Sequence, residues 1–174
     1  MITGISRGLG AALFDAVHAR GDRVVGIGHR FTAAQEERAA ASLNFTAPML
    51  LSNAFLAALP DGVPATVLFL SSGAAHRVIG GWAIYGATKR GGEAFFESLA
   101  DQVRAAGRSA PVRVAGVNPG VMDTGIQASI RDCAAGSGYF PEADHFLRLH
   151  RYGDLADPAT VARHLVSAHL SPAA

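Results

Sequence analysis

Residues 65–70, Ala-Thr-Val-Leu-Phe-Leu, form an unbroken apolar run between Pro64 and a Ser71-Ser72-Gly73 turn. A strand with one wet face alternates apolar and polar side chains, whereas an unbroken run needs both faces covered, as in a buried parallel sheet. Val112–Val117 is another short strand, ending at Asn118-Pro119-Gly120. Arg23–Gly28 is a third short run, and Met1-Ile2-Thr3 is an apolar lead into a Gly-rich turn. Helical spacing fills the intervals and predicts helices over Gly8–Arg20, about Asn44–Leu59 and Ile84–Ala106. Thr32 with Gln35 and Glu36 reads as a capping box. Residues 128–153 read as irregular, broken by Gly136, Gly138 and Pro141, before a last helix from Pro158 to about Leu170 with Asp157 as N-cap. Alternating strands and helices predict an α/β fold, a parallel sheet with helices on both faces and ligands beyond the carboxyl ends of the strands.

Length and charge narrow the function. The 174 residues suit a single domain, 1–174, and the formal charge of +1 excludes a strongly basic nucleic-acid binder. No run approaches the roughly 18 apolar residues of a membrane span, and no secretory signal is visible. With Cys133 as its one cysteine the chain has no intrachain disulfide framework, so a reducing, cytoplasmic setting is expected. The histidines show no metal-ligand spacing with Cys or acidic residues, and no metal site is expected.

The turn Thr3-Gly4-Ile5-Ser6-Arg7-Gly8-Leu9-Gly10 falls between a strand and a helix. Glycines there let a pyrophosphate approach the backbone at a helix N-terminus, and they equally serve a tight turn. Arg30 lies twenty residues beyond Gly10, where a dinucleotide fold often carries an acidic residue for the ribose hydroxyls. Arg7 and Arg30 would instead suit a 2′-phosphate, and thus NADP(H); the plainer alternative is two solvated arginines.

Of the 15 cationic residues, Lys89 is the one lysine. It stands four residues after Tyr85, on the same face of a predicted helix, with Ser72 thirteen residues before Tyr85 at a strand end. An ammonium about 4 Å from a phenol, at an effective dielectric of about 20, is worth roughly 4 kcal/mol, about three pKa units. Lys89 is therefore expected to bring the Tyr85 hydroxyl from about 10 towards neutrality and make it a proton donor. A tyrosine packed on a lysine stem at a helix start is the alternative.

Taken in order, these blocks resemble the short-chain dehydrogenases/reductases. The matching blocks are Thr3-Gly4-x3-Gly8-x-Gly10, Ser72, Tyr85-x3-Lys89, and Asn118-Pro119-Gly120 with Thr124 behind it. Asn44, in Leu43-Asn44-Phe45-Thr46, looks like the helix asparagine of that family's active site. Val121–Gln127 and the later Phe140-Pro141 and Asp144-His145-Phe146 look most like the sepiapterin reductase and benzil reductase branch. The resemblance implies a Rossmann-type doubly wound sheet and an NADPH-dependent carbonyl reductase acting on a ketone or diketone. It implies that Tyr85 protonates the substrate oxygen, Ser72 hydrogen-bonds it, Lys89 holds the nicotinamide ribose, and Asn44 holds a relay water. Gly4, Ser6, Arg7, Gly8, Leu9 and Gly10 would line the pyrophosphate, with Arg7 and Arg30 at the 2′-phosphate and Pro119, Gly120 and Thr124 at the nicotinamide end. Asp123 and the segment from Ile126 to Phe146 would border the substrate or form a surface loop. A homodimer or homotetramer is implied, with part of the apolar stripe Ala94, Phe95, Phe96, Leu99 and Val103 as its interface.

The sequence also departs from the family, whose sheet order is 3-2-1-4-5-6-7. Strands one, two, five and six are legible. The interval between Arg30 and Asn44 has neither a third nor a fourth strand, and no seventh follows the last helix. Strands pair at about 4.8 Å, so losing the fourth leaves a gap of about 10 Å that no hydrogen bond crosses. The expectation is that residues are absent between about 31 and 43; closing-up of the neighbouring strands, or pairing supplied by a partner chain, would be the other solutions. The rival functional reading is a truncated, inactive relative that binds nucleotide or partners.

Overall fold

The computed structural model describes residues 2–3, 8–20, 26–27, 41–135 and 140–170. They fall into two compact units, one drawn from 1–30 and 120–174, the other from 31–119. Each predicted strand is present, in two separate two-stranded parallel sheets. β1 (Ile2–Thr3) pairs with β2 (Gly26–Ile27), and β3 (Ala65–Leu70) pairs with β4 (Val112–Val117) in the register Ala65↔Val112 to Leu70↔Val117. These are the pairs that strands one and two, and five and six, make in the expected order. Residues 31–40, which hold the candidate capping box and most of the interval of the missing strands, lie outside the described residues.

The second unit opens with a π-helical segment, Ser42–Thr46, which runs straight into α2 (Ala47–Ala58). Pro48 is tolerated there because the first turn of an α-helix has no intrahelical use for its N–H. After β3 comes a 3₁₀ turn, Gly73–Ala75, and then the long α3 (Ala83–Ala105), which packs on β4 and on that turn. Val67 and Phe69 of β3 and Phe96 and Leu99 of α3 form the buried core, flanked by Phe55, Leu56, Phe95 and Val114. The Phe69 and Phe96 rings stack at 4.7 Å between centroids. Gly92 makes this packing possible: a Cβ there would lie 2.2 Å from the Phe69 ring. The predicted stripe on α3 therefore serves the core through Phe95, Phe96 and Leu99, while Ala94 is exposed.

In the first unit α1 (Gly8–Ala19) packs along α6 (Pro158–His169), burying Leu9, Leu13 and Val17 on one side and Ala162, Leu165 and Val166 on the other. Asp157 caps α6 as expected, its carboxylate accepting from the Thr160 amide at 2.8 Å. The irregular reading of 128–153 is corrected. That stretch holds most of α4 (Gly125–Ala135) and all of α5 (Ala143–Tyr152), which pack together. Pro141 lies just before α5, and Gly136 and Gly138 lie outside the described residues. α5 ends where Gly153 takes the left-handed conformation, φ +73°.

Candidate active site

The site in the second unit is assembled at the end of β3. The Ser71 amide extends the ladder by donating to the Val117 carbonyl at 2.8 Å. Ser72 is still extended (φ −157°), and its Oγ accepts from the Ala74 amide at 3.2 Å, capping the 3₁₀ turn. The turn lies directly on α3 at Gly86, where a Cβ would stand 2.9 Å from the Ala74 carbonyl oxygen. Glycine next to Tyr85 thus lets the Ser72 turn reach the helix.

Tyr85 lies in the first turn of α3, mostly buried, with its ring edge-on to Trp82 at 5.5 Å. Ser72 is the side chain that acts on its hydroxyl, drawing the pKa down against burial. Lys89 follows one turn later. Its Nζ donates to the Leu70 carbonyl at 2.8 Å and stands 5.3 Å from the Phe69 ring centroid and 5.6 Å from that of Tyr85. The three side chains singled out from spacing are therefore brought together by β3 and α3.

The expected electrostatics are corrected. Burial pushes the Tyr85 hydroxyl above its ordinary value, and the Ser72 side chain opposes that shift without reversing it. Lys89 does not reverse it: its ammonium is turned to the Leu70 carbonyl and is itself desolvated, its pKa falling to about 8. Burial of the phenol outweighs the neighbouring cation, so Tyr85 is protonated at neutral pH.

Asn44 sits half-buried in the π-helical segment. That segment packs on α3 through Phe45, whose ring lies 3.2 Å from where a Cβ on Gly91 would be. Among the described residues no hydrogen bond links Asn44 to Ser72, Tyr85 or Lys89. Trp82 lines an open depression of about 450 Å³ with Ile79, His76 and Arg90. Neither Ser72 nor Tyr85 lines it, so the depression lies beside the candidate centre.

Several candidate nucleotide residues lie in the first unit. Gly8 opens α1 with φ +62°, and a Cβ there would meet the Thr124 methyl at 3.3 Å. Thr124 therefore stands beside the first residue of α1, and Leu9 and Gly10 that follow are buried. Gly120 also takes positive φ, +77°, after the half-buried Pro119. Gly4, Ser6, Arg7 and Arg30 lie outside the described residues. A glycine at the helix start with a threonine beside it fits a nicotinamide dinucleotide: Gly8 and Gly10 would admit the pyrophosphate, and Thr124 the carboxamide. Among the described residues no cluster of three or more His, Cys, Asp or Glu side chains could hold a metal ion, and no helix is long and apolar enough to cross a membrane.

Sequence reasoning missed Gly86 and Glu93. Glu93 is four residues beyond Lys89 and eight beyond Tyr85, the same helical face, and that spacing is the signal that could have found it.

Comparison with known proteins gives a consistent result. The family model described as short chain dehydrogenase matches residues 29–134. A benzil reductase ((S)-benzoin forming) of Bacillus cereus is 34% identical over 123 residues, covering 70% of this chain and 47% of that protein. A sepiapterin reductase of Bos taurus is 32% identical over 129 residues, covering 72% and 45%. The chain spans about half the length of the curated relatives it matches. The crystal structure of the KRED1-Pglu enzyme superposes with a TM-score of 0.76 at 22% identity, covering 99% of this chain and 95% of that one. The TT0495 protein of Thermus thermophilus superposes at 0.67 and 19% identity, covering 95% and 87%; both are likenesses of fold.

Proposed function

The chain belongs to the short-chain dehydrogenase family, and on that premise we propose that it is an NADPH-dependent carbonyl reductase for a ketone or diketone. The observation that carries this reading is the Ser72 turn packed on α3 at Gly86, beside Tyr85, with Lys89 one helical turn along and its Nζ 5.6 Å from the Tyr85 ring centroid. NADPH, when bound, supplies the hydride. The Tyr85 phenol, protonated at neutral pH, gives its proton to the carbonyl oxygen as negative charge builds there. The Ser72 hydroxyl donates a hydrogen bond to the same oxygen and fixes it against Tyr85. Lys89, charged below about pH 8, stands 5.6 Å from the Tyr85 ring centroid and stabilises the phenolate left when the proton has gone. Asn44 is assigned to a relay water on the family resemblance.

The choice of NADPH rests on Arg7 and Arg30 and on the lack of an acidic residue from Arg23 to Ala34. The curated benzil reductases suggest an aromatic diketone, and Trp82 beside Tyr85 gives such a ring an aromatic neighbour. The same reading makes the chain one dinucleotide-binding domain of a cytoplasmic homodimer or homotetramer. A second reading, an inactive relative that binds nucleotide or a partner, is favoured by the lack of a legible third or fourth strand between Arg30 and Asn44.

The test uses the full chain with NADPH and benzil, following loss of reduced nicotinamide. Turnover that drops by at least about 100-fold in Tyr85→Phe, the scale of general acid catalysis, with NADPH binding unchanged, supports the reductase. Tight NADPH binding without turnover of any ketone supports the second reading.

A further inference from the structure

Ser72 is held to α3 from both sides by a residue with no role in the scheme above. Glu93 Oε1 accepts from the Ser71 hydroxyl at 2.5 Å, and Ser71 is the buried residue immediately before Ser72. His76, four residues after Ser72, places Nε2 3.0 Å from both Glu93 carboxylate oxygens. On the other side of the imidazole, Arg90 Nη1 lies 2.9 Å from Nδ1.

The proton positions in this chain follow from the donor inventory. A guanidinium only donates, so Nδ1 of His76 accepts, and Nε2 carries the proton that goes to Glu93. Ser71, with a carboxylate as its partner, must also donate. Every link then runs towards Glu93, and charge assistance makes such bonds the strong ones. The Glu93 side chain is 15% exposed, so water competes weakly for its oxygens.

Glu93 shares a helical face with Tyr85 and Lys89, at consecutive intervals of four residues. Lys89 binds the Leu70 carbonyl and Glu93 binds the Ser71 hydroxyl. The two residues leading into Ser72 are thus tied to the helix that carries Tyr85, and His76 ties the residues after it. Without Glu93, the Ser72 Oγ would remain a cap for the Ala74 amide and Lys89 would still hold Leu70, but the Ser71 and His76 side chains would lose their shared anchor on α3.

We propose that Glu93 is a positioning residue that fixes Ser72 against Tyr85 by clamping Ser71 and His76 to α3. This rests on the carbonyl reductase reading for its effect on rate, but not for its effect on the turn. A Ser72 hydroxyl displaced by about 1 Å costs up to 100-fold in rate.

The test compares wild type, Glu93→Ala, Glu93→Gln and Ser71→Ala, the last a minimal change should Glu93→Ala fail to fold. Turnover of benzil with NADPH is measured together with hydrogen exchange at the amides of residues 71–77. Glu93→Ala is expected to lose about tenfold or more in kcat, with KM for NADPH unchanged. Exchange should quicken at Ala75 and His76, whose amides bond to Ser72 and Gly73, and stay constant in β4. Glu93→Gln keeps an acceptor oxygen and is expected to recover most of the rate, while Ser71→Ala shows part of the loss. If kcat stays within twofold, or exchange at 71–77 does not change, the positioning role is overturned. If no protein, wild type included, turns over while exchange rises at 71–77 alone, the reductase reading fails and the clamp stands.

Discussion

Replacing Lys89 with methionine should make the protein more stable at neutral pH and less stable at high pH. The Lys89 ammonium has an ordinary pKa of 10.5, held in the fold at about 8 by burial. At 1.36 kcal/mol per pKa unit, the charged form therefore costs the fold about 3 kcal/mol. The sign follows from proton counting. Between about 8 and 10.5 the unfolded chain holds a proton that the folded chain has shed, so stability rises with pH across this window. The penalty is complete below about 8 and absent above about 10.5. Methionine matches the stem in length but forfeits the bond to the Leu70 carbonyl, worth about 1 kcal/mol net. Lys89→Met should then gain about 2 kcal/mol at pH 7, a rise of about 4–8 °C in Tm for a chain of this size. It should lose about 1 kcal/mol above pH 10.5, leaving the hydrogen bond as the remaining term. Urea unfolding of both proteins at pH 7, 9 and 11 measures the difference directly. A stability difference that does not vary with pH, or a variant weaker than wild type at pH 7, refutes the argument. Reductase turnover should collapse in the same variant, the trade expected where function keeps a costly buried group.

Gly92→Ala drives a methyl group into the Phe69 ring at 2.2 Å and should cost about 1–3 kcal/mol by overpacking, read in a urea melt. Arg30→Ala should weaken NADPH by about tenfold or more, the value of a hydrogen bond to a charged group, and leave NADH unaffected; titration of both cofactors checks it. Equal losses for the two cofactors would remove Arg30 from the 2′-phosphate.

How far each feature could be read from residues depended on how local its cause was. The bounds of β3 and β4 coincide with the predicted runs, because each is closed by local turn signals, Pro64 and Ser71-Ser72-Gly73 for β3 and Asn118-Pro119-Gly120 after β4. The Asp157 cap was legible for a similar reason, since both partners lie within four residues. Ser72, Tyr85 and Lys89 could be grouped because strand end and helix spacing fix two of the three. The direction taken by the Lys89 head could not be read, as it depends on the Leu70 carbonyl nineteen residues away. α4 and α5 were hidden by Gly136, Gly138 and Pro141, whose breaking tendency masks two helices separated by a short interval. The π-helical entry to α2 has no period that distinguishes it from an ordinary first turn.

The pairing of α1 with α6 has a consequence in time. Arg20, just past α1, donates to the Leu170 carbonyl across 150 residues of chain. β3 and β4, by contrast, meet across the interval from Ala65 to Val112, bridged by α3. A ribosome releases the chain in order, and units generally fold as they become complete. The inner unit can therefore close on the growing chain, while α1, made earlier, waits with Leu9, Leu13 and Val17 uncovered until α6 emerges. This is the part of the protein that a chaperone would meet first, and the entropy of closing so long a loop makes its docking the slow step.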